Sequence, residues 1–208
     1  MAVERRARLA AACLLAGLLL TGCAPRAAAP AASSPSASQT SSSSAASAPG
    51  DWRNATYRIS CDGLLMGNLS AKLVNGAATV PVDISESPFY DDVDLRLQAT
   101  ATGDVDGDGG SETVVLLQCS PQPSNASVQE VHVFRADGSQ LAVLPSANDL
   151  PQTTILAPLY VPSGLTVQNG DVVAAMKAYG PSDSHATGPS VPFTVRWHWT
   201  GKAFAPVQ

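Results

Sequence analysis

Helical periodicity is missing from this chain: no stretch of twelve residues carries an apolar stripe at a 3.6-residue spacing without a Gly or Pro inside it. That excludes helical bundles and any fold whose core is built on amphipathic helices. Cations are also scarce, with 12 Lys and Arg against 17 Asp and Glu among 208 residues, and they form no cluster in the body of the chain. Nucleic acid is therefore excluded as a partner, because phosphate binding needs grouped positive charge. A third lack concerns reaction chemistry. The sequence contains no G-x-S-x-G, no H-E-x-x-H and no paired His, so the common signatures of serine hydrolases and zinc peptidases are missing. No apolar run is long enough to span a bilayer either, since the longest, Leu9 to Leu20, falls well short of the roughly 20 residues required.

What that short run does resemble is an export signal. Arg5, Arg6 and Arg8 precede it as a basic n-region, and residues 1–22 read as a signal peptide that is removed. It ends in Leu20-Thr21-Gly22-Cys23, which is similar to a bacterial lipobox; the other reading is an ordinary secretory signal with an incidental Cys. The lipobox resemblance implies that Cys23 becomes the N-terminus, carrying a diacylglycerol and a further acyl chain such as palmitate. At ~0.8 kcal/mol per buried CH₂, such a group holds the chain firmly on a membrane. The expected location is the outer face of the cytoplasmic membrane. Without residues 1–22 the chain has nine basic and sixteen acidic side chains, a formal charge of −7.

After Cys23, residues 24–50 are 27 in number, of which 23 are Ala, Ser or Pro. Such a segment cannot bury enough apolar area to offset the entropy of ordering it. It is expected to be a disordered tether, averaging roughly 30 Å end to end as a flexible coil. Residues 51–208 remain as a single β-rich domain, large enough to bury a core.

Within 51–208 the apolar spacing is two, and turn pairs recur between the runs. Asn75-Gly76 separates residues 71–74 from 77–82, Asp137-Gly138 separates 128–136 from 139–144, Asn169-Gly170 separates 165–168 from 171–179, and Thr200-Gly201 separates 193–199 from 202–206. Each is read as a hairpin, since Asn-Gly and Asp-Gly tolerate the positive φ of tight turns. The expected fold is all-β: an antiparallel sandwich or partly closed barrel of about ten strands. Residues 113–119 are apolar on both parities, the mark of a central strand covered on both faces. In the last long strand Phe193, Val195, Trp197 and Trp199 are assigned to the core, and His198, Thr194 and Arg196 to the opposite side. His132, between Val131 and Val133, reads as a structural His.

Cys61 and Cys119 are the only Cys of the mature chain besides Cys23. In an oxidising extracytoplasmic setting the pair reads as a disulfide, which on chain-entropy grounds stabilises by about 4 kcal/mol. The other reading is two unrelated buried thiols.

The one motif with chemistry of its own runs from Gly103 to Glu112, with carboxylates at Asp104, Asp106 and Asp108, Gly109 at the sixth position and Glu112 at the ninth. This is the spacing by which a short loop wraps oxygens around Ca²⁺, the carbonyl of Gly110 completing the set. Position 12 is Val115 instead of a bidentate Glu, so an EF-hand is excluded. The other reading is an acidic hairpin that holds no metal. The Asp-x-Asp-x-Asp-Gly loop resembles those of FG-GAP or VCBS-type repeats, which join two strands. It occurs once here, so a propeller is not expected, and ligand-binding roles of longer FG-GAP proteins do not carry over.

More of the chain, from about Thr56 to Phe204, resembles actinobacterial lipoproteins of unassigned function. The lipobox, the tether, the run Ala101–Gly109 leading into Thr113–Cys119, and the closing Val195–Lys202 carry the resemblance. It implies a cell-surface lipoprotein, not a reaction. A non-catalytic module that binds a cell-wall component, a solute or another exported protein is therefore the favoured function. The competing one is a cell-envelope hydrolase using the loop from Ser182 to His185, where a Ser, an Asp and a His lie close in sequence. Neighbours on one loop rarely converge as a triad must.

Overall fold

A computed structural model describes residues 50–207 except 84, 86, 152 and 153. The signal peptide, Cys23 and the tether up to residue 49 lie outside the described residues. Eleven strands follow in order: β1 (Thr56–Ile59), β2 (Leu69–Lys72), β3 (Ala77–Pro81), β4 (Asp92–Gly103), β5 (Glu112–Gln122), β6 (Val128–Phe134), β7 (Gln140–Val143), β8 (Leu159–Gln168), β9 (Asp171–Ala178), β10 (Val191–Trp199) and β11 (Phe204–Val207). Among the described residues the only helical pieces are two 3₁₀ turns, Trp52–Asn54 and Ala147–Asp149. The strands form three antiparallel sheets: β1-β2, β3-β4-β5-β6-β7 and β11-β10-β9-β8. The fold is all-β and sandwich-like, not a closed barrel.

The five-stranded sheet carries apolar side chains on both faces. From β5, Val114 and Leu116 join Val131, Val133, Val172, Ala174, Met176 and Trp197 in one core, shared with the four-stranded sheet. Val115, Leu117 and Cys119, on the opposite parity, join Tyr57, Ile59, Ala71, Leu73, Val93 and Leu95 in a second core, shared with the β1-β2 ribbon. Both parities of β5 are therefore apolar because each has a core to fill. Truncating one such residue, as in Leu116→Ala, removes transfer energy and leaves a cavity, at a cost of about 2–5 kcal/mol.

One bulge lets β4 serve both cores. Leu97 pairs with Leu117, whereas Ala99 pairs with Leu116, so Gln98 is the extra residue. Val93, Leu95 and Leu97 pack on the ribbon side, and Ala99 and Ala101 on the other, although all five share one parity.

Three of the four expected hairpins pair as read: β6-β7, β8-β9 and β10-β11. The fourth does not. Asn75 and Gly76 do take positive φ, at 55° and 87°. Their flanks, however, pair only through the single bridge Val74↔Ala77, and β2 and β3 then enter different sheets. The cause is the 3₁₀ turn before β1. Gly76 N–H donates to the Arg53 carbonyl at 2.7 Å, Asn75 N–H to Asn54 Oδ1 at 2.9 Å, and Leu97 N–H to the Gly76 carbonyl at 2.8 Å. The turn is thereby used as a corner between two sheets.

Cys61 and Cys119 are brought to disulfide distance, with Cα atoms 5.6 Å apart, and both are buried. The pair ties the exit of β1 to the middle sheet. In β10, Trp197 is fully buried and stacks on Tyr160 at 5.9 Å, while His198 faces outward and bonds Asp171 Oδ1 through Nδ1 at 2.8 Å.

Candidate metal centre

The segment Asp104–Ser111 forms the turn of the longest hairpin, β4-β5, whose last pair is Gly103↔Glu112. Within it the carboxylates of Asp104, Asp106 and Asp108 converge, each offering an oxygen within 4.8 Å of the others. Backbone N–H groups fix them in place. Asp104 Oδ1 accepts from Gly107 N–H at 2.7 Å and its Oδ2 from Gly109 N–H at 3.1 Å; Asp108 Oδ1 accepts from Gly110 N–H at 2.6 Å. Gly107 and Gly109 take φ of 78° and 85°, which a side chain would resist, so the turn can curl around its own acids.

Two contacts hold the turn on the body. Val105 is buried in the core between the two larger sheets. Behind the loop, Gly103 lies against Val167 of β8, and the carbonyl of Asp104 lies near Gly170 in the β8-β9 turn. Arg135, after β6, places Nε 3.9 Å from Asp106 Oδ2 as a counter-charge.

Glu112 is placed differently from the three Asp. It is the first residue of β5 and 1% exposed, and its Oε2 accepts from Val105 N–H at 2.9 Å. It closes the base of the loop and does not belong to the group of three converging carboxylates. Gly110 lies in the turn and donates to Asp108. The donor set is all oxygen, which suits a hard dication, and each carboxylate oxygen retains acceptor capacity beyond the single N–H it takes.

A second polar cluster, beside the middle of β5, carries no sequence motif. Glu130 is 8% exposed on β6, and its Oε1 accepts from Ser60 N–H at 3.1 Å, Ser60 Oγ at 2.5 Å and Asp62 N–H at 2.7 Å. Its Oε2 lies 3.1 Å from His132 Nε2. Burial pushes the Glu130 carboxyl up, but the hydrogen bonds from His132, Ser60 and Asp62 outweigh it and hold the group below its ordinary value. His132 thus is a core residue, stacked on Phe134 at 6.2 Å, with Nδ1 lacking a partner among the described residues. The signal in the sequence is a Glu and a His on the same parity of β6 as Val128 and Phe134.

In the loop from Ser182 to His185, Asp183 Oδ2 accepts from Gly180 N–H at 2.7 Å, Ser190 N–H at 2.9 Å and Ser190 Oγ at 2.8 Å. Ser184 pairs with Thr187, and His185 meets the ring of Tyr179 edge-on at 6.2 Å. The Asp is spent on closing the loop. Compared with known protein families, with curated proteins and with solved structures, the chain matches none.

Proposed function

We propose that this protein is a non-catalytic module, lipid-anchored through Cys23 on the outer face of the cytoplasmic membrane, whose β4-β5 turn holds one structural Ca²⁺. The convergence of the Asp104, Asp106 and Asp108 carboxylates on a turn clamped at its base carries this reading. Three like charges so close repel one another, and a hard dication relieves that repulsion. The three Asp would supply its side-chain ligands, with the Gly110 carbonyl and Glu112 completing the set. The ion's role is structural: it pins a hairpin that spans the domain. What the module binds is a cell-wall component, a solute or another exported protein. Use of Asp183 to close its own loop supports this reading over a hydrolase, because a triad needs that carboxylate to hold the His.

Melting of the full-length protein with EDTA or Ca²⁺ tests the metal. A ligand that binds only the folded state stabilises it by RT ln(1 + [L]/Kd). For the ~10⁻⁴–10⁻³ M affinities of extracellular modules, ~10 mM Ca²⁺ adds about 1.4–2.7 kcal/mol, and Mg²⁺ adds less. A melting temperature indifferent to Ca²⁺ would reduce the loop to an acidic turn.

A further inference from the structure

A cleft of about 320 Å³ opens beside Glu130, bounded by the chain leaving β1, by β6, by the segment after β7 and by Tyr160 of β8. It lies away from the metal loop, beside the middle of β5, where Glu130 pairs with Leu117 and Gln129 with Gln118. Its lining includes the carboxylates of Asp62 and Glu130 and no Lys, Arg or His, so the charge inside is negative. Glu130 is already saturated by four hydrogen bonds. Asp62 is not. Asn148 Nδ2 donates to its Oδ2 at 2.8 Å and Ser146 adds a side-chain hydrogen bond, but among the described residues no cation stands against it.

A second group points to a ligand. Tyr160 is 5% exposed, and its backbone is fixed by the Gln129 side chain, with Tyr160 N–H donating to Oε1 at 2.7 Å. Its hydroxyl makes no hydrogen bond to a described residue, although the phenol lies within reach of the Asp62 charge and lines the cleft. It is not one of the fully buried unpartnered polar atoms, so it is open on the cleft side and free to meet a donor from outside.

The remaining walls decide between an inorganic and an organic cation. Val143, Leu144 and Pro145 also line the cleft. A bare metal ion needs several converging oxygens, and among the described residues the only such acidic grouping is the one at the metal loop. Apolar walls with a few polar groups at one end instead suit a short alkyl chain ending in a charge. We propose that this cleft binds a primary alkylammonium group, its nitrogen donating to the Asp62 carboxylate and the Tyr160 hydroxyl and its stem lying on Val143, Leu144 and Pro145. This deepens the binding-module reading by naming a ligand class, and it rests on no residue of the metal loop.

Calorimetric titration of the full-length protein with n-butylammonium, and with n-butanol as a neutral match, tests the site. Saturable binding of the amine, at least about tenfold tighter than the alcohol, is expected, and the difference corresponds to about 1.4 kcal/mol. Asp62→Asn should weaken the amine at least about tenfold without lowering the melting temperature, because Asn tolerates the left-handed backbone and still accepts from Asn148. Tyr160→Phe keeps the ring on Trp197 and should weaken binding severalfold, while Asp106→Ala should leave it unchanged. Lysine with its α-amine acetylated and its carboxyl amidated separates two sources. Tighter binding than n-butylammonium assigns the amine to a Lys side chain of a partner protein, and weaker binding assigns it to a free small molecule. No saturation by n-butylammonium, equal binding of the alcohol, unchanged affinity in Asp62→Asn, or stoichiometric competition by Ca²⁺ would each overturn the proposal. Absent amine binding with an intact Ca²⁺ response refutes this cleft alone.

Discussion

Val167 fills the space that a side chain at position 103 would need: its Cγ1 lies 2.6 Å and its Cβ 2.9 Å from where a Cβ on Gly103 would sit. Neither atom is the far end of a flexible chain, so Gly103→Ala forces the β8 strand and the start of the metal loop apart. Overpacking of this kind costs about 1–3 kcal/mol. Gly103→Ala should melt earlier by that amount and respond less to Ca²⁺, and the double variant Gly103→Ala, Val167→Ala should recover part of both. Thermal melts of the four proteins measure the coupling, and strict additivity would show that the contact is not responsible.

Asp106→Ala removes one proposed ligand and one repelling charge together. The expected result is a protein no less stable than wild type in EDTA that gains nothing from Ca²⁺. Arg135→Gln works in the opposite direction. The Arg135 guanidinium, 3.9 Å from Asp106, competes with a cation for the same carboxylate. Its loss should tighten Ca²⁺ binding by a few-fold and lower the stability measured in EDTA. Calcium titrations followed by near-UV circular dichroism check both; unchanged affinity in Asp106→Ala would remove that residue from the ligand set.

Glu130 ties acid sensitivity to one buried carboxylate. Its folded-state pKa lies below the unfolded value, so the ionised group contributes stability above the unfolded titration, and this contribution is lost as pH falls through that value toward the folded one. Glu130→Gln keeps one acceptor oxygen but leaves donors of Ser60, Asp62 and His132 competing for it, at a cost of about 1–3 kcal/mol near neutrality. Its loss of stability on acidification should be shallower than that of wild type. Urea titrations across the acid range decide this, and parallel curves would mean that Glu130 does not drive the acid transition.

For the cysteine pair, thiol tagging of the denatured, unreduced exported protein should find Cys61 and Cys119 unreactive. Reduction should lower the melting temperature by several degrees. Two alkylated thiols would refute the bond.

Cys23→Ser tests the anchor. Metabolic labelling with a fatty-acid analogue should lose its signal in the variant, with the chain unprocessed or released to the medium. Equal labelling of variant and wild type would exclude acylation at this residue.

The parts of this fold that are legible in the sequence are those set by local chemistry. The Asn169-Gly170 pair takes positive φ at both residues, and the doubly apolar run Thr113–Cys119 leaves no face for water. β4 is less legible. Its bulge at Gln98 hands one parity to two different cores, and small residues such as Ala99 and Ala101 carry little hydrophobic signal. The fate of the Asn75-Gly76 turn is not legible locally, because it depends on Arg53 and Asn54, which are distant in sequence. The three Asp of the metal loop could be placed from spacing alone. The Glu130 cluster could not, since Ser60 and Glu130 are 70 residues apart and only the stacking of sheets brings them together.

The two acidic sites lie along one hairpin, the metal turn at its tip and Glu130 beside the middle of β5. The part of β5 between Glu112 and Leu117, which pairs with Glu130, rises ~3.3 Å per residue, which with the turn itself sets the two sites on the order of 20 Å apart. Charge is screened over about 8 Å at physiological ionic strength. An ion arriving at one site is therefore nearly silent electrostatically at the other. Any cooperativity between them must travel as mechanical strain through β4 and β5, with the slipped register at Gln98 as the natural place for it to dissipate.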